Sequence, residues 1–371
     1  MKRRVKILSI DGGGIRGLIP ALVLEELEDR LWDCTKGRAL SSTFDLIAGT
    51  STGAFITIGL SLPKRYPERY NTYLAEPALS AADIADFYVR RGTEVFPQSL
   101  FNGFRVMAHV FREKYEEDRL ERILAEVLGT ATLAECLTNV LIPAYDTERC
   151  RPFYFRSGSL ERGEAVARRL LPEGLKALRI RARSKPGSHD PGMVDEVDLN
   201  FFLKDAARAA SAAPSYFPPA SISPVPDNGE RYCLIDGGIF APNPALCAYI
   251  EARRLFPQAR EFLIVSLGTG RVERSYSCRE LKDWGYLEWV SPARKAPLPS
   301  IMIKAQNEMA DRHVRSLRDV RCYRFNAPLA GANDDMDDAS SRNISELRRV
   351  AEQIIKKNDE QIDALCREIV R

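Results

Sequence analysis

Short apolar runs alternate with segments of helical periodicity along most of the chain. The run over residues 5–10 ends at Asp11, which three consecutive glycines follow, and from Leu18 onward apolar residues recur on one helical face. Strands that alternate with helices usually form a mainly parallel sheet with helices on both faces. The sequence therefore predicts a three-layer α/β fold of this kind. Predicted strands are residues 5–10, 44–48, 139–145, 153–156, 232–235, 262–267 and 322–325; predicted helices are the one from Leu18 and residues 53–62, 201–213, 244–256, 300–318 and 344–370.

Two features near the C-terminus carry local predictions. Asn343 directly precedes the last predicted helix, and Glu346 lies three residues after Asn343. This is capping-box spacing, which predicts Asn343 as the N-cap. The acidic run at residues 334–338 is most simply a solvated loop.

Composition excludes several classes of protein. The chain has 371 residues, of which 45% are hydrophobic and 28% charged, and this is ordinary globular composition. A net charge of +3 is too small to indicate DNA or RNA as a partner. The eight cysteines show no C-x-x-C spacing, and three histidines cannot complete a metal cluster with them. We therefore expect reduced thiols, no metal and a cytoplasmic protein.

The N-terminus begins like a signal peptide but does not continue as one. Lys6 interrupts the first apolar run and Asp11 ends it, which leaves fewer than the ~7–15 apolar residues of a signal core. No window approaches the ~18 apolar residues of a membrane span. Any membrane contact is therefore predicted to be peripheral.

A G-x-S-x-G pentapeptide lies between a predicted strand and a predicted helix. A sharp turn there lifts the Ser51 hydroxyl above the sheet, and Gly49 and Gly53 keep bulk away from the turn. The amide of Thr52 opens the helix and can bind an oxyanion. This context favours a nucleophilic serine, and a tight structural turn is the alternative.

A second glycine-rich segment follows the first predicted strand. Gly12, Gly13 and Gly14 can leave several amides unhindered, which suits a phosphate or the oxyanion of a tetrahedral intermediate. A rival interpretation takes Gly12, Gly14 and Gly17 as a dinucleotide fingerprint. Asp11 would repel the pyrophosphate, and no acidic residue follows a second strand at the usual distance. A purely structural turn remains a third option.

The third motif places Asp236 at the end of a short predicted strand, followed by Gly237 and Gly238. Two glycines leave little bulk around a carboxylate at the sheet edge. A structural aspartate in a hairpin turn would look the same locally.

The three motifs together resemble the patatin-like phospholipase family in order and approximate spacing. Residues 209–219, 243–244 and 266–270 are also similar, so the resemblance covers about residues 5–270 well. It implies one patatin-like domain over residues 1–371, with a core at about 5–270 and a C-terminal extension or lid at about 271–371. It further implies Ser51 as nucleophile, Asp236 as general base, oxyanion amides from Gly12–Gly14 and a bracing Arg16. Pro242 departs from the pattern and should stiffen the loop after Asp236.

This chemistry needs neither a cofactor nor a histidine, provided that burial makes the carboxylate a better base. The alternative is a Ser51–Asp236–His313 triad acting on small esters, although His313 lies in a polar helical stretch. His109 and His189 are weaker candidates. A catalytically silent binding module and a nucleotide-binding oxidoreductase also stay open.

Membrane phospholipid is the substrate that the resemblance implies, reached by peripheral contact at the inner face of the membrane. Aromatic segments at residues 96–104 and 284–290 either border an acyl-chain cleft or a lipid interface, or pack as lids.

A basic segment suggests a second ligand. Arg179, Arg181, Arg183 and Lys185 share one face of a strand, which fits either an edge strand protected by charge or an anion sensor. Some bacterial patatin-like proteins of this length are phospholipase effectors gated by cyclic oligonucleotides in antiphage defence. Residues 283–296, 298–300 and 338–344 look similar to that subgroup. A cyclic oligonucleotide is thus a candidate activator, and a homo-oligomer a candidate assembly.

Overall fold

The computed structural model describes residues 4–35, 37–65, 73–95, 117–158, 199–291 and 294–370. Ten strands are present in this part of the chain: β1 Arg4–Ile10, β2 Leu46–Gly49, β3 Pro63–Arg65, β4 Tyr73–Pro77, β5 Asn139–Asp146, β6 Arg151–Arg156, β7 Ala220–Ile222, β8 Tyr232–Asp236, β9 Glu261–Leu267 and β10 Val320–Phe325. The helices are α1 Leu18–Thr35, α2 Leu40–Thr43, α3 Thr52–Ser61, α4 Ala81–Val95, α5 Glu117–Leu128, α6 Leu203–Ala210, α7 Ala245–Leu255, α8 Cys278–Leu281, α9 Tyr286–Val290, α10 Pro297–Ser316, α11 Ser341–Lys357 and α12 Asp359–Val370.

One large sheet organises the molecule, in the order β10-β9-β1-β2-β5-β8-β7, with β6 paired to β5. The strands from β10 to β5 are parallel, whereas β6, β7 and β8 run antiparallel to their neighbours. Strands β3 and β4 form a separate antiparallel pair. The predicted α/β fold with a mainly parallel sheet is therefore confirmed.

Alternating residues of the central strands build the two layers around the sheet. On β1, Leu8 and Ile10 join one buried cluster with α1, α3, α4, α11 and α12. Val5 and Ile7 join a second cluster on the other face, with α7 and with Val314 of α10. This period-2 pattern is what a sheet buried on both faces requires. Among the described helices, none is long and apolar enough to cross a bilayer.

The C-terminal helical region differs from the prediction. The single helix predicted over residues 344–370 is wrong, because α11 ends at Lys357 and the side chain of its C-cap, Asn358, donates to the Ile354 carbonyl. The predicted cap is also wrong: Ser340 is the N-cap, and its hydroxyl accepts the Asn343 amide at 3.2 Å. The Asn343 side chain instead fixes the preceding loop through the Asn333 amide and the Asp338 carbonyl. The domain division at about residue 270 stays a prediction.

Candidate active site

Ser51 occupies a strained turn between β2 and α3. Its backbone has φ 56° and ψ −121°, a region that residues with a side chain rarely adopt. A Cβ atom on Gly49 would lie 2.0 Å from the Gly53 carbonyl oxygen, and one on Gly53 would lie 2.3 Å from the Ile10 oxygen. The backbones are thus too close for any side chain at either position. The structure has the sharp strand-to-helix turn that the pentapeptide predicted.

Asp236 ends β8 and is almost completely buried, with 4% of its surface exposed. Its Oδ1 accepts the Gly238 amide at 2.7 Å. Burial raises the pKa of Asp236 to about 6, although hydrogen bonds from the Ser51 side chain and the Gly238 amide oppose the rise. Gly237 packs against the Pro143 carbonyl. The fold thus brings together the hydroxyl and the carboxylate of two motifs that are 185 positions apart in the sequence.

The glycine loop lies directly beside the nucleophile, since a Cβ atom on Gly12 would be 3.2 Å from the Ser51 Cβ. One predicted oxyanion donor is wrong, because the Gly12 amide already donates to the Pro242 carbonyl at 2.9 Å. Within the described part of the chain, the amides of Gly13, Gly14 and Thr52 donate to no backbone carbonyl. These three amides remain the candidates for an oxyanion site.

Hydrogen bonds fix the loops around the site to one another. The Thr50 hydroxyl donates to the Ala241 carbonyl at 2.7 Å, and Thr269 donates to the Gly12 carbonyl at 2.7 Å. The Nε of the buried Arg16 donates to the Gly13 carbonyl at 3.2 Å. The glycine loop, the serine turn and the loop after Asp236 therefore form one connected unit.

Two supporting residues have no sequence signal that would have identified them. Arg324 on β10 makes a buried, bidentate ion pair with both carboxylate oxygens of Asp11, and it also donates to Ser266 at 2.9 Å. On α4, Tyr88 hydrogen-bonds to the Thr52 hydroxyl and donates to the Thr52 carbonyl at 3.2 Å. Arg324 anchors the start of the glycine loop, and Tyr88 holds the first residue of α3.

The acidic run at residues 334–338 is not the solvated loop that was predicted. The Met336 carbonyl accepts the Ile15 amide at 2.8 Å, so the run packs over the glycine loop. Asp334 pairs with Arg274 at 2.7 Å, and Lys295 pairs with Asp335 at 2.6 Å. Basic partners distant in sequence neutralise these carboxylates, and such pairing cannot be read from a local charge run.

Other predicted candidates lie elsewhere. His313 is exposed on α10, and no described contact links it to Ser51 or Asp236. No group of three or more His, Cys, Asp or Glu side chains in the described ranges is arranged to hold a metal ion. The remaining candidates fall outside the described residues: Arg179, Arg181, Arg183, Lys185, His109, His189 and the aromatic segment 96–104.

Gly13→Ala is expected to lower kcat on a soluble ester by about 10²-fold or more, the usual effect of losing one oxyanion donor. The new methyl group would meet Thr269 Oγ1 at 2.4 Å, so the loop must shift away from its present position. The exposed Gly331, where only the end of the Glu346 side chain is near, provides a matched Gly→Ala control that should stay within about twofold. Unchanged turnover in Gly13→Ala would show that this loop has another purpose.

Comparison with known proteins agrees with this geometry. The family model described as patatin-like phospholipase matches residues 8–249. Patatin-like protein 2 of Arabidopsis thaliana is 31% identical over 95% of this chain and 83% of its own length. Patatin-like protein 2 of Oryza sativa subsp. indica is 28% identical over 97% and 86%, respectively. A Solanum tuberosum relative named "Probable inactive patatin-3-Kuras 1" is 29% identical over 95% and 87%, so relatedness alone does not establish turnover. With its motifs assembled at one end of a mainly parallel sheet, the chain belongs to the patatin-like phospholipase family, a family of lipid acyl hydrolases.

Proposed function

We propose that this chain is a lipid acyl hydrolase of the phospholipase A type, in which Ser51 and Asp236 act as a catalytic dyad on membrane phospholipids. The observation that carries the proposal is the closeness of the Ser51 side chain, held at a positive φ, to a buried carboxylate whose pKa burial raises and the Ser51 side chain lowers. A serine hydroxyl is a poor nucleophile until a neighbour accepts its proton. We assign this role to Asp236.

The reaction follows from this geometry in two steps. As the Ser51 oxygen bonds to the ester carbonyl carbon, its proton passes to Asp236, and the carbonyl oxygen gains negative charge near the amides of Gly13, Gly14 and Thr52. Collapse of this intermediate breaks the ester bond, and the proton moves from Asp236 to the departing alcohol oxygen. Water then attacks the acyl–serine with Asp236 again as base, which releases the fatty acid and restores Ser51.

Burial supports the choice of a carboxylate as the base, because no Lys or Arg among the described residues pairs with Asp236 and desolvation is the largest influence on its pKa. Each pKa unit corresponds to about 1.4 kcal/mol of proton affinity, so a rise from 3.8 to about 6 makes Asp236 a considerably stronger base than an exposed aspartate. The same raised pKa leaves Asp236 mostly ionised at neutral pH, so that it is ready to accept the proton.

We expect kcat/KM on a soluble ester to rise with pH through about 6 and to level off above it. The sign follows from the required form: below this pKa Asp236 is protonated and cannot accept the Ser51 proton. Initial rates across this range give the profile, and thermal unfolding at each pH checks that the fold persists. The His313→Ala variant should show the same profile. A rise of kcat/KM centred near pH 3.8, the ordinary pKa of aspartate, would contradict a buried base.

The competing functions receive less support from the geometry. A Ser–Asp–His carboxylesterase needs His313 at the site, but His313 is exposed on α10. A dinucleotide site at Gly12, Gly14 and Gly17 needs amides free for a pyrophosphate, yet the Gly12 amide donates to Pro242 and a Cβ atom on Gly17 would be 2.3 Å from the Thr52 hydroxyl.

Incubation of the purified chain with phosphatidylcholine or phosphatidylglycerol, followed by mass spectrometry of the products, tests the hydrolase proposal. Fatty acid and lysophospholipid should appear together, and the absence of both would reject it.

We further propose that the protein works at the inner face of the cytoplasmic membrane and is gated by a cyclic oligonucleotide in antiviral defence. An unregulated phospholipase would damage the membrane of its own cell. The resemblance to gated bacterial effectors and the basic residues Arg179, Arg181, Arg183 and Lys185 support an anionic activator, because arginine pairs well with phosphate oxygens.

Activation by about a hundredfold requires about 2.7 kcal/mol of preferential binding to the active conformation, which two charge-assisted hydrogen bonds can supply. We expect low basal hydrolysis of a fluorogenic phospholipid and strong activation by one member of a panel of cyclic di- and trinucleotides. Arg181→Glu and Arg183→Glu should abolish that activation. Full basal activity that no nucleotide changes would reject the gate, and activation that survives both substitutions would reject this sensor.

A further inference from the structure

Helix α10 carries an apolar stripe on its solvent side. Leu298, Ile301, Met302 and Met309 are between 40% and 51% exposed. At 3.6 residues per turn these four positions fall within about 100° of one another, roughly opposite the buried Val314. The solvent side of a helix is normally polar. Nothing in the described part of the chain covers this apolar stripe.

Helix α9 carries further exposed apolar side chains next to α10. It packs against α10 and exposes 78% of Tyr286 and 73% of Leu287. Trp284 and Trp289 are partly buried nearby in the sequence, with ring centroids 5.2 Å apart. Tryptophan and tyrosine are enriched at bilayer interfaces because each combines an apolar ring with a polar group. We call the exposed residues of α9 and the α10 stripe together the α9–α10 face.

This face adjoins the proposed catalytic site. Gln306 of α10 donates from Nε2 to the Ile239 carbonyl at 3.1 Å. Ile239 ends the short helical turn that follows Asp236 and is itself partly exposed. The middle of α10 is thereby attached to the loop that carries the proposed base. A lipid layer on the α9–α10 face would lie next to that loop.

The charge around the face favours an anionic surface. Residues 286–318, which span α9 and α10, contain six Lys or Arg residues and three Asp or Glu residues. Two of the six are in ion pairs, Lys295 with Asp335 and Arg315 with Asp311, so the excess of positive charge is modest. At 3.6 residues per turn, the exposed Arg312 falls within the arc of the stripe and the exposed Lys304 about 60° outside it, with the exposed Glu308 between Lys304 and the stripe. Basic residues beside a buried apolar surface are the combination that binds amphipathic helices to anionic lipid.

We propose that the α9–α10 face docks onto an anionic phospholipid bilayer and brings the Ser51 site to its substrate. This inference rests on the proposed hydrolase function, which explains why a lipid-binding face should lie beside Asp236. Docking would bury the α10 stripe with Tyr286 and Leu287 in the headgroup region, while Lys304 and Arg312 contact lipid phosphates.

Docking is measured by vesicle co-sedimentation of the Ser51→Ala protein, so that hydrolysis does not consume the membrane. We expect binding to phosphatidylcholine vesicles that contain phosphatidylglycerol, weaker binding to pure phosphatidylcholine, and loss of the difference at high salt. Met302→Asp/Met309→Asp should lower the partition coefficient by about tenfold or more, because two carboxylates would enter the apolar layer. Lys304→Glu/Arg312→Glu should remove the preference for phosphatidylglycerol.

Val370→Asp is the matched control for the apolar substitutions. Val370 is 49% exposed, close to the exposure of Met302 and Met309, but α12 belongs to the layer on the opposite face of the sheet. The partition coefficient of the Val370→Asp variant should stay within about twofold of that of the parent protein. Circular dichroism and thermal unfolding confirm that every variant is folded.

Equal binding by Met302→Asp/Met309→Asp and Val370→Asp would overturn the proposal. So would a dimer in light scattering that Met302→Asp/Met309→Asp dissociates without any vesicle binding, because the face would then join two copies of the chain. A wild-type protein that hydrolyses soluble esters but ignores vesicles would refute docking and leave the catalytic proposal intact. Vesicle binding without ester hydrolysis would support docking and refute the catalytic proposal.

Discussion

Asp236→Ala is expected to lower kcat by several orders of magnitude, as loss of a proton-handling residue does in serine hydrolases. Asp236 is the buried carboxylate beside the Ser51 side chain, and alanine can neither accept the proton nor return it to the leaving group. Asp236→Asn keeps nearly the same volume and should be similarly inactive, which separates loss of the base from loss of packing. Steady-state turnover of a soluble ester, with thermal unfolding of each variant, makes the comparison.

His313→Ala is the control that distinguishes the dyad from a triad. Because His313 is exposed on α10, its loss should change kcat by less than about tenfold, a barrier change below ~1.4 kcal/mol. A histidine variant as inactive as Asp236→Ala would show that the triad is right and the dyad wrong.

Ser51→Ala is expected to abolish ester hydrolysis, because no covalent acyl–enzyme can form without the hydroxyl. The free energy of unfolding should change by less than about 1 kcal/mol, since a single partly exposed hydroxyl contributes little packing. The strained backbone persists in the variant, because alanine at φ 56° is as unfavourable as serine. Residual turnover above the level of Asp236→Ala would contradict Ser51 as nucleophile.

The strands and the serine turn were readable from the sequence because local chemistry determines them. A short apolar run, a turn of small residues and an apolar helix follow one another directly around Ser51. Together they predict the sharp strand-to-helix turn at this serine. The antiparallel β7 is a three-residue strand at the edge of the sheet, too short to show a period. Helix α4, which supplies Tyr88, was missed although it is amphipathic, because its apolar positions are interrupted by charged residues.

The unpredicted parts of the site depend on contacts between distant residues. No local pattern connects Arg324 with Asp11 or places Met336 over the glycine loop. Likewise, no basic residue lies within the acidic run itself, and only the fold brings Lys295 beside Asp335. Gly12 was predicted as an oxyanion donor because an amide in a glycine loop has no partner until the fold supplies Pro242.

The central claim is that Asp236 activates Ser51, and a fluorophosphonate probe tests this most directly because it reacts only with an activated serine. We expect one label, mapped by peptide mass spectrometry to Ser51, absent in Ser51→Ala, strongly slowed in Asp236→Asn and retained in His313→Ala. Label on a different serine, or labelling of Asp236→Asn at the wild-type rate, would contradict the account.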